Sequence, residues 1–100
     1  MSNNDLVAGL VRLHILHHAV EEEVFGVGLM EELSRHGYEI SPGTLYPILH
    51  SMEKKGWLRM RSRVVNGKNR KIYRATLRGR RALDDAKEKV RELFGELFEE

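Results

Sequence analysis

Positive side chains are concentrated in one stretch of this 100-residue chain. Between Lys54 and Leu83 lie twelve of the seventeen Lys and Arg residues and none of the fifteen Asp and Glu residues. The other seventy residues hold five cations and all fifteen acids, a net charge of −10, although the whole chain has a formal charge of only +2. A polyanion responds to the local field rather than to the net charge. The segregation therefore favours a nucleic acid as the partner.

Three histidines near the N-terminus have the spacing of a metal site on a helix. His14, His17 and His18 include the i, i+3 and i, i+4 pairs that can share one ion. The chain has no cysteine to supply sulfur, and histidines at a surface or an interface are the commoner outcome. We therefore predict no metal site, and keep a metal-responsive function based on these three histidines as an alternative.

Patterns that indicate catalysis are missing from the sequence. It contains no Gly-rich phosphate loop, no Ser or Cys nucleophile in a suitable context and no paired carboxylates of the kind that acid–base catalysis uses. We predict neither an enzyme nor a cofactor. The absence of cysteine also excludes a disulfide framework and fits a reducing cytoplasm.

Hydrophobic periodicity predicts the elements that position the charged stretch. A first helix spans Leu6 to Val20, a second spans Gly26 to His36 with Val27, Met30 and Leu33 inward, and Gly37 ends it. The apolar run of the first helix is too short to span a bilayer and contains Arg12. With no export signal, we expect a soluble cytoplasmic protein without a membrane partner.

A third helix is predicted from Ser41 to Lys55, where the basic stretch begins. Ser41 and Pro42 resemble an N-cap followed by a proline in the first turn, but Pro47 would then remove a hydrogen bond from the helix. With Thr44 as the cap, Pro47 would lie harmlessly in the first turn. Both alternatives give an irregular first turn with free backbone groups.

From Trp57 the hydrophobic period changes to two, which predicts a β-hairpin that turns at Asn66-Gly67. Thr76 then caps a last helix with a seam at 3,4 spacing. Two heptads are marginal alone, so we expect this seam to dock on the first helix of a second subunit. The predicted dimer contacts are Val7, Val11, Ile15, Leu83, Ala86, Val90, Leu93 and Leu97.

This order of elements predicts an α+β fold, mainly α with a β-hairpin: a winged helix-turn-helix (residues 1–76) with an added C-terminal dimerisation helix (residues 77–100). In such a fold the third helix enters the major groove of double-stranded DNA, and a cationic hairpin follows the phosphates. The predicted DNA-binding residues are Ser41, Gly43, Thr44, Tyr46, Pro47, His50, Lys54, Lys55, Arg63, Lys68, Arg70 and Lys71. A winged helix that serves as a protein–protein adaptor is the other alternative.

Two segments closely resemble the PadR family of bacterial and archaeal transcriptional regulators. They are the run from Ser41 to Leu58, SPGTLYPILHSMEKKGWL, and the run from Asn66 to Leu83, NGKNRKIYRATLRGRRAL. The resemblance covers the chain from Gly26 onward and is to the short members of the family, with a single C-terminal helix. It implies a dimeric winged-helix protein, commonly a repressor, that in many members responds to a small ligand. The two-fold symmetry of the expected dimer asks for an inverted-repeat operator.

The resemblance also implies roles for individual residues. Ser41, Gly43, Thr44 and Tyr46, with the hairpin cations Lys68, Arg70 and Lys71, are expected to lie at the DNA. Two positions depart from the family pattern. The second helix opens with Phe25-Gly26-Val27-Gly28 in place of His-Gly-Tyr-Glu, and Ala75 replaces a larger aliphatic residue before Thr76.

Overall fold

The fold consists of four helices and a three-stranded sheet, as described for residues 4–99 by a computed structural model. Residues 1–3 and 100 lie outside the described residues. They include the first residue of the predicted winged helix-turn-helix segment and the last residue of the predicted C-terminal helix segment. Among residues 4–99, no helix has both the length and the apolar character needed to cross a membrane. In chain order the elements are α1 (Asn4–Glu21), β1 (Val24–Phe25), α2 (Gly26–Arg35), α3 (Pro42–Lys54), β2 (Leu58–Val65), β3 (Lys68–Ala75) and α4 (Leu77–Phe98).

The sheet is antiparallel, with the strand order β1-β3-β2. Strands β2 and β3 form the predicted hairpin, called the wing below. Asn66 (φ 53°) and Gly67 (φ 78°) both have positive φ values, which is the signature of a two-residue type I′ turn. Val65 pairs with Lys68, so the polar residues after the turn belong to the strand and do not lengthen the loop. The short strand β1 was not predicted from the sequence.

The helix-turn-helix is formed by α2 and α3, and the turn starts where α2 ends. Gly37 has a φ of 90°, and its N–H donates to the Ser34 carbonyl at 3.0 Å, which closes the last turn of α2. Leu29 and Leu33 are buried, whereas Val27, predicted to face inward, is 47% exposed. The inward face of α2 runs through Gly26, Leu29 and Leu33, and Val27 lies outside that i, i+3, i+7 series.

The hydrophobic core contains residues of all four helices and the sheet. Val11 and Ile15 are 1% and 0% exposed and Leu83 is 8% exposed, all within this single chain. Val11 and Ile15 are therefore core residues of the chain itself and leave almost no surface for the predicted contact with a second subunit. The first helix has two apolar faces, and the one assigned to a partner is the one that packs on the chain's own core. The other face carries Leu6 and Leu10, which are 78% and 49% exposed.

The junction between the wing and α4 is held by Thr76, the predicted cap. Its side-chain oxygen accepts a hydrogen bond from the Gly79 N–H at 3.0 Å, and its N–H donates to the Trp57 carbonyl at 3.0 Å. A Cβ atom at Gly79 would lie 2.1 Å from the Trp57 carbonyl oxygen, so only glycine fits this close approach. The direction in which α4 leaves the domain is thus fixed by backbone contacts.

Candidate nucleic-acid interface

Helix α3 separates cleanly into a buried and an exposed side. Leu45, Ile48, Leu49 and Met52 are buried, as their spacing predicts. Every residue of α3 and its two flanking positions that the sequence analysis assigned to DNA is exposed: Ser41, Gly43, Thr44, Tyr46, Pro47, His50, Lys54 and Lys55. A major groove that accepted this helix would therefore meet its predicted contact residues.

The first turn of α3 leaves backbone groups unpaired at the surface. Ser41 is the N-cap and Pro42 the first helical residue, but the Ser41 side chain makes no capping bond and instead donates to Thr44 Oγ1 at 3.4 Å. The alternative in which Thr44 caps the helix is wrong. Pro47 consequently lies inside α3 and has no N–H for the Gly43 carbonyl, while the Gly43 N–H precedes the first full helical bond.

Tyr46 connects the exposed side of α3 to the start of α2. An ideal Cβ placed on Gly26 would lie 2.1 Å from the Tyr46 hydroxyl oxygen, so the phenol ring fills the space that the glycine leaves. Tyr46 is still 36% exposed. Its ring therefore packs against the domain while part of the side chain remains open to solvent.

A groove of about 330 Å³ joins α2, α3 and the wing at this point. Helix α2 begins there without a side-chain cap, because its N-cap residue is Phe25. Free N–H groups at a helix start attract anions, and two cationic side chains of the wing stand across the groove. The start of α2 was not among the DNA contacts predicted from the sequence. The lining residues are Phe25, Gly26, Val27, Tyr46, Asn69, Arg70 and Lys71.

Like charges face each other across the wing. Arg63 pairs directly with Arg70, and Arg59 with Arg74, so the members of each pair share one face of the hairpin. Like charges in such positions are destabilising unless an anion lies nearby. In the free protein Glu23 provides one, since its carboxylate lies 3.1 Å from Arg63 Nη1. Three other cations of the wing are exposed: Lys68, Arg70 and Lys71. A phosphate could offset the repulsion between them, as the Glu23 carboxylate does for Arg63.

The cations at the base of the wing have other contacts. Lys55 is the C-cap of α3, and its ammonium group lies 5.3 Å from the centroid of the Trp57 ring. Arg78 donates to the Lys55 carbonyl at 3.5 Å and so pairs with the end of α3. These side chains stabilise the α3–α4 junction, whereas Lys54 is exposed next to it.

Two ionisable groups lie close to the inner and outer sides of α3. Burial raises the pKa of Tyr73, with the Glu53 carboxylate as a second cause, so this tyrosine is a neutral core residue. His50 Nδ1 lies 3.9 Å from Glu53 Oε1 on the exposed side. Glu53 is thus an acidic group next to the predicted DNA surface, where it would disfavour a phosphate.

The three histidines of α1 that were considered as an alternative metal site do not all join one cluster. His14 and His18 are half-buried and approach His36, at the end of α2, whereas His17 is exposed. The cluster of the structure thus has His36 in the place of His17. His17 lines a groove between α1 and α4, as His14 also does.

That groove has a volume of about 560 Å³ and a mostly apolar lining. Leu10 and Leu13 of α1 and Leu83, Val90 and Phe94 of α4 are among its lining residues. Of the predicted dimer contacts, Val7 and Ala86 are half-buried. The remainder of α4 presents an apolar stripe that includes two unpredicted phenylalanines: Val90 (47% exposed), Leu93 (46%), Phe94 (62%), Leu97 (63%) and Phe98 (65%).

Comparison with known proteins identifies the family of this chain. Residues 15–85 match the transcriptional regulator PadR-like family. Transcriptional regulator Rv3488 of Mycobacterium tuberculosis is 55% identical over 88 residues, which cover 88% of this chain and 82% of that protein. The chain belongs to the PadR-like family of transcriptional regulators. The resemblance seen in the sequence is confirmed.

Solved structures of the family have the same fold. A PadR-like transcriptional regulator from Bacillus cereus is 28% identical, with a TM-score of 0.81 over 96% of this chain and 98% of that one. A PadR-like transcription factor from Bacteroides fragilis shares the fold at 21% identity, with a TM-score of 0.83 over 94% and 92% of the two chains. The predicted winged-helix fold is confirmed, and the protein is a PadR-like regulator rather than an enzyme.

Proposed function

We propose that this PadR-like regulator binds double-stranded operator DNA as a homodimer and represses transcription there. One observation carries the proposal: the exposed and uncharged first turn of α3 lies beside two surfaces that attract anions, the wing and the start of α2. That arrangement suits a helix in the major groove with phosphates on either side. Because operators are chromosomal, the protein would act in the cytoplasm.

The side chains would divide the work of binding. Thr44, Pro47 and His50 would contact base edges, where a hydroxyl can bond a base and a methyl or ring can touch a thymine methyl. Ser41, the Gly43 N–H and the Tyr46 hydroxyl would hold phosphates close to the helix start. The long cations would add affinity without sequence information: Lys54, Lys55, Arg63, Lys68, Arg70 and Lys71.

The homodimer would bury the apolar stripe of α4. Phe94, Leu97 and Phe98 are each more than 60% exposed in the single chain, which is unusual for such large apolar side chains on one helix. Docking them on Leu6 and Leu10 of a second subunit would remove both surfaces from water. A two-fold axis would then place the two α3 helices about 34–36 Å apart and require an inverted-repeat operator.

We also propose that a small-molecule effector binds in the groove between α1 and α4. The groove between α1 and α4 has a volume of about 560 Å³, within the range of about 300–1,000 Å³ that is typical of small-molecule sites. Its lining is mostly apolar and belongs to both helices of the proposed interface. An apolar ligand bound there would change how α4 packs and so alter the distance between the α3 helices.

Salt dependence tests the DNA function against the adaptor alternative. A dimer that engages six to ten phosphates should lose about 10³–10⁵-fold in duplex affinity between 50 and 200 mM salt. Fluorescence anisotropy with operator fragments selected from the source genome measures this slope, and analytical ultracentrifugation measures the dimer. Absence of duplex binding at low salt would reject the proposal, and a protein adaptor would show no such slope.

A further inference from the structure

A cluster of nitrogen and oxygen ligands lies between α1 and α2, away from the residues assigned to DNA. Helix α1 contributes His14 and His18, while α2 and its C-cap contribute Glu32 and His36. Each pair is separated by four residues, so both of its members lie on one side of their helix. The two sides face each other. One ligand atom from each of the three histidines can be chosen so that all lie within 4.8 Å of one another.

The Glu32 carboxylate lies beside two of these histidines. Its Oε1 atom lies 3.7 Å from His18 Nε2 and 3.6 Å from His36 Nε2. Ligands that bind zinc tetrahedrally at 2.0–2.1 Å are themselves about 3.4 Å apart, so these separations need only a small contraction. The other oxygen, Oε2, accepts a hydrogen bond from Arg35. Such a second partner orients a ligating carboxylate.

An unpaired ring nitrogen in the cluster also suits a metal. His18 Nε2 is buried and has no hydrogen-bond partner within residues 4–99. A buried ring nitrogen without a partner is uncommon, because buried polar atoms are normally paired. This orphaned ring nitrogen is therefore available to a metal ion.

We propose that His14, His18, His36 and Glu32 form a binding site for one divalent transition-metal ion of the zinc class. Three imidazoles and one carboxylate match the ligand preference of Zn²⁺, Co²⁺ or Ni²⁺, whereas Mg²⁺ and Ca²⁺ need mainly oxygen ligands. The ion would tie α1 to α2, the first helix of the helix-turn-helix. The site differs from the histidine triad considered from the sequence, because His36 and Glu32 replace His17.

The rival explanation is an ordinary charge network, in which protonated histidines pair with Glu32 and no metal binds. The two explanations differ in stoichiometry and in spectroscopy. We expect isothermal titration of the full chain with Zn²⁺, without DNA, to give one ion per chain. We expect Co²⁺ to give the intense visible absorption of a four-coordinate complex. No Zn²⁺ binding, or a Co²⁺ spectrum like that of the hydrated ion, would overturn the proposal.

Variants at the exposed end of the cluster test the ligands without disturbing the core. The His36 side chain is 47% exposed, so His36→Ala should leave the fold intact, as circular dichroism would verify. It should weaken Zn²⁺ binding by at least about a hundredfold, because loss of an outer-shell partner alone costs about 10–100-fold. Glu32→Gln should also weaken it. Unchanged affinity in both variants would overturn the proposal.

Two other histidines provide matched controls. His17 is the neighbour of His18 but is exposed, and His50 lies on α3 with its side chain 70% exposed. Neither His17→Ala nor His50→Ala should change Zn²⁺ affinity. A loss in His17→Ala equal to that in His36→Ala would show a different site on α1 and overturn the assignment. Because no DNA is present, these results are independent of the proposed operator binding.

Discussion

The first turn of α3 and the tip of the wing lie close together but differ in charge, since the first is uncharged and the second is cationic. From Ser41 to His50 the chain carries no Lys, Arg, Asp or Glu, and its exposed groups are hydroxyls, a glycine, two prolines, one histidine and backbone atoms. From Lys68 to Lys71 three of four residues are cations, and all four are exposed. Short polar groups discriminate because they must be close to their partner, while long cations act over a distance and tolerate any sequence. Selectivity and affinity are thus expected to reside in separate segments.

The two segments are nevertheless held in one arrangement. Tyr46 of α3 packs on Gly26, and the groove beside it is completed by Arg70 and Lys71 of the wing. A phosphate bound in that groove would be shared by α2, α3 and the wing. The position of one phosphate would then determine how the first turn of α3 approaches the bases.

Removal of the wing charges should have the largest effect. The triple change Lys68→Ala, Arg70→Ala and Lys71→Ala removes six phosphate contacts from a homodimer, so the salt slope should decrease in magnitude by about 5. Affinity at moderate salt should fall by at least about 10²-fold for operator and random duplexes alike. Anisotropy titrations at several salt concentrations measure both quantities. A loss confined to operator DNA would contradict the division between the segments.

A change at Thr44 should have a smaller and more selective effect. Thr44→Ala should narrow the difference in binding free energy between operator and random DNA by about 1–3 kcal/mol, with random-duplex affinity and salt slope retained. Thr44→Val keeps a methyl group and Thr44→Ser keeps the hydroxyl, so competition titrations of these two variants identify which group discriminates. Equal losses on both kinds of DNA would assign Thr44 to a phosphate.

The smallest effect on DNA affinity is expected from the ion pair between Glu23 and Arg63 of the wing. Glu23→Gln should free Arg63 from an exposed ion pair worth about 0.2–1 kcal/mol, and so raise duplex affinity by at most about fivefold at low salt. The control is Glu22→Gln, which removes the same charge from an exposed neighbour. A similar rise in both variants would show a general charge effect. A fall in affinity in Glu23→Gln would mean that Glu23 positions Arg63 for DNA.

The predictability of this structure from sequence depended on how local each signal was. The hairpin turn at Asn66-Gly67, the cap at Thr76 and the buried side of α3 follow from patterns a few residues long, and the structure has all three. The choice between the two apolar faces of α1 depends on distant elements, which is why Val11 and Ile15 were assigned to the wrong partner. Strand β1 has only two residues and exists because β3 has a free edge beside it.

The residues of the candidate DNA surface and of the histidine cluster also differ in how local their sequence signals were. Exposure of the predicted DNA residues on α3 followed from helical periodicity, but the contribution of the α2 start required the packing of Tyr46 on Gly26. The sequence does contain a signal for the histidine cluster, which was overlooked. It consists of one i, i+4 pair on each of two consecutive helices, His14/His18 and Glu32/His36. Only the docking of α1 on α2 shows that the two pairs face each other.

The contact of Gly79 with the Trp57 carbonyl has a geometric consequence for the operator. Helix α4 has 22 residues and is about 33 Å long, so a tilt of 5° at its start would move its far end by about 3 Å. A 3 Å shift approaches the length of one base-pair step, about 3.4 Å. In the proposed dimer the tolerance for half-site spacing would therefore depend on this contact together with the Thr76 hydrogen bonds beside it. A bulkier residue at position 79 would change the permitted spacer length before it changed any group that touches DNA.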